Sequence, residues 1–445
     1  MSEPQVVIIG GGFAGLSAAR ALASAPVRVL VLDRTNHHLF QPLLYQVATS
    51  QLSPADIAKP IRSILRDQKN ALVSMSLVEQ IVPETREVVT TGRRLKYDHL
   101  IVAGGARHSY FGRDDWAQFA PGLKSLDDAL EIRRRVIAAF EQAEKYEDEP
   151  RQRSAMTFVV VGAGPTGVET AGAIAELAHD TMRWDFRRID PRQARVILVE
   201  AGPRVLPSYT EGLSASAQRQ LEQKLCVEVR LNTKVTGVGD RWVELDGERL
   251  AAHTVIWAAG NLASPLAKFL GETDRSGRLK VNQDLTVPGH PEIQAIGDMV
   301  TLNTRAGLPV AGVAPAAMQM GRHAARNIRL QLAGKAPDPF WYVDKGSMAT
   351  IGRNAGIADL KGLRFGGWLA WAAWAMIHLY FLVGFRNRIL VFLQWVWAYV
   401  FHTRGARLIS DLPRSPSLGL VEGGARSQAD RPPPTPARAQ GGQSP

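Results

Sequence analysis

Cysteine is nearly absent from this chain. Its 445 residues include a single thiol, Cys226. One thiol cannot form an internal disulfide, so a disulfide-stabilised secreted scaffold is excluded and a reducing compartment is favoured. The same shortage excludes redox enzymes that work through a C-x-x-C pair, and sulfide-oxidising enzymes that need paired cysteines.

Two further absences narrow the class of protein. The first residues contain neither the basic segment nor the apolar stretch of a secretory signal, and we expect no signal peptide. The net charge is +11, which suits nucleic acid, an anionic membrane surface or an anionic substrate. No run rich in lysine and arginine contains interleaved aromatic residues, so we expect no nucleic-acid partner.

Glycine, by contrast, recurs in a fixed pattern at two places roughly 150 residues apart. GGGFAG begins at residue 10 and GAGPTG at residue 162, and each follows an apolar run and precedes a helix-like stretch. In a G-x-G-x-x-G motif the glycines allow a tight turn, a close approach of backbone to a pyrophosphate, and close packing of helix on strand. The following helix N-terminus attracts the phosphates. Two such motifs predict two dinucleotides, a flavin that holds electrons and a nicotinamide that delivers them, bound by Gly10, Gly12, Gly15, Gly162, Gly164 and Gly167.

An acidic residue ends the second predicted strand of each unit. The run Val29–Leu32 ends at Asp33, and the run Val196–Val199 ends at Glu200. A carboxylate at this point accepts hydrogen bonds from ribose hydroxyls. Because Glu200 would repel a 2′-phosphate, we expect NADH rather than NADPH. The long spacing from the second glycine motif to Glu200 predicts a helical extension over 182–188.

Three later strand ends also suit a dinucleotide. Buried strands end in small residues at Gly104 and Gly260, where backbone can approach a ligand. Another short strand ends at Asp298, whose carboxylate suits the ribityl hydroxyls of a flavin. A helix predicted over 315–332 would direct its positive end at the flavin ring and stabilise negative charge there.

The C-terminal stretch has long apolar runs. Residues 365–385 carry no charged side chain, and these 21 residues are long enough to span a bilayer. A second run, 389–401, is too short to span. Arginines follow each run and five of the ten tryptophans lie in this region, as at a membrane surface. Three interpretations stay open: one transmembrane helix, a buried dimerisation core, or, as we favour, two helices that lie flat in one leaflet.

The sequence thus predicts an α/β protein with two Rossmann-type domains, the nicotinamide domain inserted in the flavin domain, followed by membrane-associating helices. The expected segments are an FAD-binding part at 1–110, an NADH-binding domain at 111–262, a second FAD-binding part at 263–335, a membrane-anchoring region at 336–410 and a disordered tail at 411–445.

These motifs resemble those of the type II NADH:quinone oxidoreductases, single-chain NADH dehydrogenases that do not pump protons. The resemblance covers roughly residues 5–408 and is most specific in NHHLFQPLLYQVA at 36–48 and DKGSMATIG at 344–352. It also includes GGGFAG, AGGARHSYFG at 103–112, GAGPTGVE at 162–169 and AIGDM at 295–299. It implies non-covalent FAD, hydride transfer from NADH to the flavin, reduction of a membrane quinone without any metal, contact with membrane lipid, and a homodimer.

The resemblance also implies roles for individual residues. Glu169 matches a glutamate that faces nicotinamide and flavin and is linked to proton movement on the quinone side. Lys345 matches a lysine near it, which implies a Glu169–Lys345 pair; a structural ion pair and simple helix stabilisation stay open. Pro42 and Gln46 match residues near the isoalloxazine ring, with core packing as the alternative.

One motif departs from the family. The family often has A-Q-x-A-x-Q at its quinone site, whereas residues 314–319 read APAAMQ. Pro315 offers no side-chain amide, so Gln319 remains the candidate on the quinone side.

The favoured function is a respiratory NADH:quinone oxidoreductase on the cytoplasmic face of the inner membrane, lying on the membrane or crossing it once. Two alternatives stay open. One is an NADH-dependent reductase of a soluble carrier such as ferredoxin, and the other is a flavin- and NADH-binding sensor without turnover.

Overall fold

Two parallel β-sheets built from valine, isoleucine and leucine organise the chain. The computed structural model describes residues 3–401 and 403–409, so the tail predicted to be disordered at 411–445 lies outside the described residues. The helices are α1 (Phe13–Ala21), α2 (Leu44–Ala48), α3 (Pro54–Ile57), α4 (Ile61–Leu65), α5 (Leu126–Lys145), α6 (Glu149–Ala155), α7 (Pro165–Glu176), α8 (Glu211–Leu225), α9 (Ala314–Leu332), α10 (Trp368–Phe381) and α11 (Phe385–Phe401).

The strands are β1 (Gln5–Ile9), β2 (Arg28–Asp33), β3 (His37–Leu39), β4 (Ala58–Pro60), β5 (Ala71–Met75), β6 (Val78–Val82), β7 (Glu87–Thr90), β8 (Arg93–Lys96), β9 (His99–Val102), β10 (Ala106–His108), β11 (Thr157–Val161), β12 (Arg195–Val199), β13 (Glu228–Arg230), β14 (Val235–Gly239), β15 (Trp242–Leu245), β16 (Glu248–Ala251), β17 (Thr254–Trp257), β18 (Asn261–Ala263), β19 (Leu279–Lys280), β20 (Thr286–Val287), β21 (His290–Ala295), β22 (Val300–Thr301), β23 (Ser347–Gly352), β24 (Ala355–Leu360) and β25 (Leu363–Gly366).

The first sheet has the order β20-β21-β9-β1-β2-β5, and all its pairs are parallel except β20 with β21. Ile8 in its centre pairs with Val31 on one side and Ile101 on the other. These strands are nearly continuous apolar runs because helices and loops cover both faces of a parallel sheet.

The second sheet has the order β13-β12-β11-β17 and is entirely parallel. Val160 pairs with Leu198 and with Ile256. The two sheets confirm the prediction of two Rossmann-type units, β1–α1–β2 and β11–α7–β12. Three antiparallel sheets of three strands, β6-β7-β8, β14-β15-β16 and β23-β24-β25, and three two-stranded sheets, β3-β4, β10-β18 and β19-β22, complete the set of sheets in the described residues. Strand β23 packs on α7.

Helix α9 packs closely on α1. A Cβ added at Gly321 would lie 2.2 Å from the carbonyl oxygen of Ala14, so only glycine permits this approach. The helix predicted over 315–332 is confirmed, and its N-terminus is brought to the carboxyl ends of the first sheet.

The helical extension predicted over 182–188 is wrong. Helix α7 ends at Glu176, and a π-helical turn at Leu177–Thr181 follows it. Beyond the turn, the backbone N–H groups of Arg187 and Arg188 donate to the Glu144 carboxylate at 3.1 Å. These donors are therefore taken by a side chain of α5 and are not available for helical hydrogen bonds.

The C-terminal helices are short. Residues 363–366 belong to β25, and left-handed glycines stand at Gly367 and Gly384, so the apolar run forms only the 14 residues of α10. The interpretation of residues 365–385 as one continuous transmembrane helix is therefore wrong. At about 1.5 Å per residue α10 covers about 21 Å, less than the roughly 30 Å of a bilayer core. Among the described residues no helix combines the length and apolarity needed for a crossing.

Candidate functional site

One large cavity lies where the first sheet, α7, α9 and α10 meet. Its volume is about 1260 Å³, above the roughly 300–1,000 Å³ of most small-molecule sites. Predicted site residues that line it are Gly10, Gly12, Asp33, Pro42, Gly104, Glu169, Asp298, Gln319 and Lys345. Its wall does not include Gly15, Gln46, Gly162, Gly164, Gly167, Glu200 or Gly260.

The first glycine motif has the geometry of a phosphate cradle. Gly10 has φ +100°, and a Cβ on Gly15 would lie 1.8 Å from the Gly10 carbonyl oxygen, which fixes strand and helix at closest approach. A Cβ on Gly12 would meet no neighbouring atom within 4 Å, so the space over its backbone is open to a ligand. The second motif repeats this geometry at Gly162 (φ +98°), Gly167 (1.8 Å to the Gly162 oxygen) and Gly164 (open).

The acidic strand ends orient these two turns. The Gly11 N–H donates to Asp33 Oδ2 at 2.6 Å, and the Ala163 N–H donates to Glu200 Oε2 at 2.7 Å. Each carboxylate therefore holds the glycine turn and keeps further lone pairs for ribose hydroxyls. The sequence pattern predicted the ribose role and missed this second one. The available signal was the acidic residue that follows the second strand in both units.

Asp298 is a free acceptor on the cavity wall. Burial raises its pKa, while the Lys124 ammonium opposes this, and no described residue donates a hydrogen bond to its carboxylate. Helix α9 begins nearby at Ala314, with Pro315 in its first turn, and both residues line the cavity. An open phosphate cradle, an unpartnered carboxylate and a helix N-terminus fit the pyrophosphate, ribityl chain and ring of a flavin dinucleotide.

Glu169 lies at the other side of the cavity, as the fifth residue of α7. Burial raises the pKa of Glu169 to about 8, although a hydrogen bond from the Thr350 backbone lowers it. The side chain is thus mostly protonated at neutral pH. Glu169 and Lys345 both line the cavity, but the lysine is exposed and no ion pair joins the two, so the alternative of a structural ion pair is excluded. The functional pairing of Glu169 with Lys345 stays a prediction.

The two predicted glutamines are engaged by the protein. Gln319 Nε2 donates to the Val343 carbonyl at 2.9 Å, and the Val343 N–H donates to Gln319 Oε1 at 3.0 Å. Gln46 is buried and lies outside the large cavity, because its Oε1 accepts from Trp395 Nε1 at 2.8 Å and its Nε2 donates to Tyr45 Oη at 2.9 Å. Gln46 therefore connects α2 to α11, whereas Pro42 does line the cavity.

Helix α10 contributes a wall that the sequence patterns did not assign. Ile377, His378 and Phe381 line the large cavity. His378 Nδ1–H donates to the Trp374 carbonyl at 2.7 Å, and its ring stacks on Trp374 at 4.2 Å. Burial lowers the pKa of His378 to about 4, so the imidazole is neutral. A lone histidine in an apolar run was the signal for this position.

Most of the chain matches known proteins. Residues 4–321 match the family described as pyridine nucleotide-disulphide oxidoreductase, and residues 345–403 match the NDH2 C-terminal domain. A type II NADH:quinone oxidoreductase, Ndh of Mycobacterium tuberculosis (strain H37Rv), is 45% identical, over 92% of this chain and 90% of the relative. The chain belongs to the type II NADH:quinone oxidoreductase family.

Other members agree with this placement. NdhA of the same organism, also a type II NADH:quinone oxidoreductase, is 46% identical over 91% of this chain and 89% of its own length. A solved structure of NDH2 from Plasmodium falciparum in complex with NADH has a TM-score of 0.83 and covers 92% of this chain and 100% of that one. At 19% identity this similarity concerns the fold. It confirms two Rossmann-type domains with a C-terminal region as an NDH2 architecture.

Proposed function

We propose that this protein oxidises NADH and reduces a membrane quinone through bound FAD, as its family membership indicates. One observation supports this most directly. The phosphate cradle of the first motif, the first turn of α7 and the aromatic helix α10 bound a single cavity of about 1260 Å³. A flavin held in this cavity would lie beside α7, the helix of the proposed nicotinamide site, and beside α10, a helix proposed to contact the membrane.

FAD supplies the chemistry that the side chains lack, because it accepts a hydride and releases two electrons. In this proposal Gly10, Gly12 and the N-terminus of α1 bind its pyrophosphate, Asp33 the adenosine ribose, and Asp298 the ribityl chain. The N-terminus of α9, at Ala314, places partial positive charge beside the ring. Gly104, which follows β9, lines the cavity, and its N–H donates a hydrogen bond to Met299 Sδ at 3.2 Å.

The second motif is proposed to bind NADH. Gly162, Gly164 and Gly167 form the turn, Glu200 receives the adenosine ribose, and Gly260 follows the neighbouring strand with φ +75°. Helix α7 connects this turn to the large cavity through Pro165, Thr166 and Glu169.

Glu169 is the proposed proton donor on the flavin and quinone side. A carboxyl that is protonated at neutral pH can give up a proton in the reaction and regain it from water. Lys345 is exposed at the cavity rim, where its charge favours anionic groups.

Membrane contact is supported by the outer faces of α10 and α11. Their exposed side chains include Met376 (66%), Tyr380 (70%), Phe385 (76%), Leu393 (54%) and Trp397 (60%). Trp374 of α10, Val391 of α11 and Leu382 between the two helices are buried in the protein. An apolar outer face beside arginines suits helices that lie in one leaflet. We place the protein on the cytoplasmic face of the inner membrane, and the homodimer stays a prediction.

An acceptor screen tests this function. Purified protein is expected to be yellow, to bleach anaerobically with NADH, and to turn over with a soluble quinone faster than with a ferredoxin-type carrier. A preference for the carrier protein would support a soluble reductase, and bleaching without turnover on any acceptor would support a sensor. Colourless protein that cannot be reconstituted with FAD would contradict all three.

A further inference from the structure

A second, smaller cavity lies behind Glu169. Its volume is about 90 Å³, and Tyr45 and Glu169 belong to its wall as well as to the wall of the large cavity. A water molecule needs roughly 10–15 Å³ of such volume, so this cavity has room for several waters. It thus continues from the back of Glu169 on the side away from the large cavity.

Acidic residues follow one another along this cavity on α7 and the turn after it. Glu169 lies at the inner end, Glu176 in the middle, and the exposed Asp180 at the outer end, and all three are part of the wall. Glu169 and Glu176 are seven residues, or about 10 Å of helix, apart. A proton cannot pass directly over that distance, whereas a short chain of waters between two carboxylates can carry it.

The middle carboxylate is held in place by two other segments. Glu176 Oε1 accepts from the Arg353 N–H, and Oε2 accepts from Arg404 Nη2 at 3.0 Å. Arg404 is 6% exposed and also donates to the carbonyls of Thr49 and Ala173, each at 2.9 Å. Burial raises the pKa of Glu176, and Arg404 and Arg353 oppose this.

The reaction needs such a route. NADH gives up two electrons and one proton as a hydride, whereas a quinol contains two electrons and two protons. One proton per turnover must therefore come from water, as NADH + quinone + H⁺ gives NAD⁺ + quinol. Ile377 and Phe381, the apolar α10 residues on the wall of the large cavity, carry no group that can pass a proton, whereas the wall of the small cavity includes Glu176 and Asp180.

Resting on the proposed function, we propose that the small cavity is the proton inlet, with Asp180 collecting the proton, Glu176 passing it inward and Arg404 positioning Glu176. The proton then reaches Glu169 through cavity water. Charged or titratable groups that face Glu176 are Arg404 from the C-terminal segment, Arg353 from the β23–β24 turn, Asp180 from the turn after α7, and Tyr45 from α2.

The test separates the two halves of turnover. Glu176→Gln and Asp180→Asn are compared with Glu131→Gln, a control in which another arginine-paired glutamate is changed on α5. Stopped-flow loss of flavin absorbance with anaerobic NADH is expected to stay within about twofold of wild type in all three. Reoxidation by a soluble quinone is expected to slow about tenfold in Glu176→Gln above pH 8, with a larger solvent deuterium isotope effect, as for removal of a proton-transfer group.

Asp180→Asn provides the second measurement and lies at an exposed position, so it should fold even where Glu176→Gln does not. In Asp180→Asn, reoxidation of the flavin by quinone is expected to limit turnover at high pH. Its rate is expected to return toward that of wild type when imidazole buffer is added, because a small acid can replace a proton-collecting side chain at the surface. The inlet is refuted if reoxidation and its isotope effect in Asp180→Asn match the Glu131→Gln control at all buffer concentrations. Failure of wild-type protein to bleach with NADH would instead contradict the proposed function.

Discussion

Replacing Arg404 with methionine is expected to destabilise the protein markedly. Methionine keeps an unbranched apolar side chain at this position and removes the guanidinium group. The guanidinium is 6% exposed and makes three hydrogen bonds, of 2.9, 2.9 and 3.0 Å, to Thr49, Ala173 and Glu176. Removing one partner of a buried ion pair costs about 3–5 kcal/mol because the other charge is left buried alone. With about 2.1 cal/mol/K of unfolding entropy per residue over roughly 400 residues, this corresponds to a fall in melting temperature of about 4–6 °C.

Thermal unfolding followed by release of flavin fluorescence measures this fall. The double variant Glu176→Gln/Arg404→Met should lose less than the two single changes add up to, by about 1–3 kcal/mol, because the carboxylate that Arg404 neutralises is gone. Arg66→Met is the matched control, since its ion pair with Asp67 is exposed and worth within about 0.5 kcal/mol. Additive losses, or a melting temperature for Arg404→Met equal to that control, would refute the reasoning.

Four further outcomes are expected. Glu200→Ala should raise the KM for NADH and relax discrimination against NADPH by about tenfold, since each 1.4 kcal/mol is a factor of ten; unchanged relative kcat/KM values for the two nucleotides would exclude the ribose role. Quinone reduction should fall as pH rises through about 8, where Glu169 loses its proton, and Glu169→Gln should remove this limb from the pH–rate profile. Glu169 should also make the wild-type protein less stable as pH rises from about 4.5 to 8, because in this range the folded state keeps a proton that the unfolded chain releases. The melting temperature of Glu169→Gln should lack this dependence on pH. Leu393→Asp with Trp397→Asp should release the protein from anionic lipid vesicles in a flotation assay, whereas Leu308→Asp, at another exposed apolar position, should stay bound.

Local sequence patterns were sufficient for the two nucleotide-binding units. The turns at Gly10 and Gly162 are predictable because their geometry depends on residues within one strand–turn–helix segment. Helix α9 was equally predictable from sequence, since a proline in its first turn marks where it begins and a run of good helix formers follows. In each case the physical cause lies within about 20 residues of chain.

Contacts between distant segments were not predictable in this way. Gln46 accepts a hydrogen bond from Trp395 on α11, and the Thr350 backbone of β23 donates one to Glu169, and neither partner can be read from the motif that contains the residue. The apolar run at 365–385 reads as a possible membrane span until its first residues pair with β24 as a strand. The hydropathy of a segment depends only on the residues in it. The strand β25 forms because these residues pair with β24, and hydropathy carries no information on that pairing.

Helix α10 has two sides with different environments, and this divides the effects of its substitutions. A change at His378 or Phe381 alters the wall of the large cavity, while a change at Met376 alters a side chain of the outward surface. Under the proposed function, lipid binding and quinone chemistry would depend on different sides of the 14 residues of α10, so that one could be changed by substitution without changing the other.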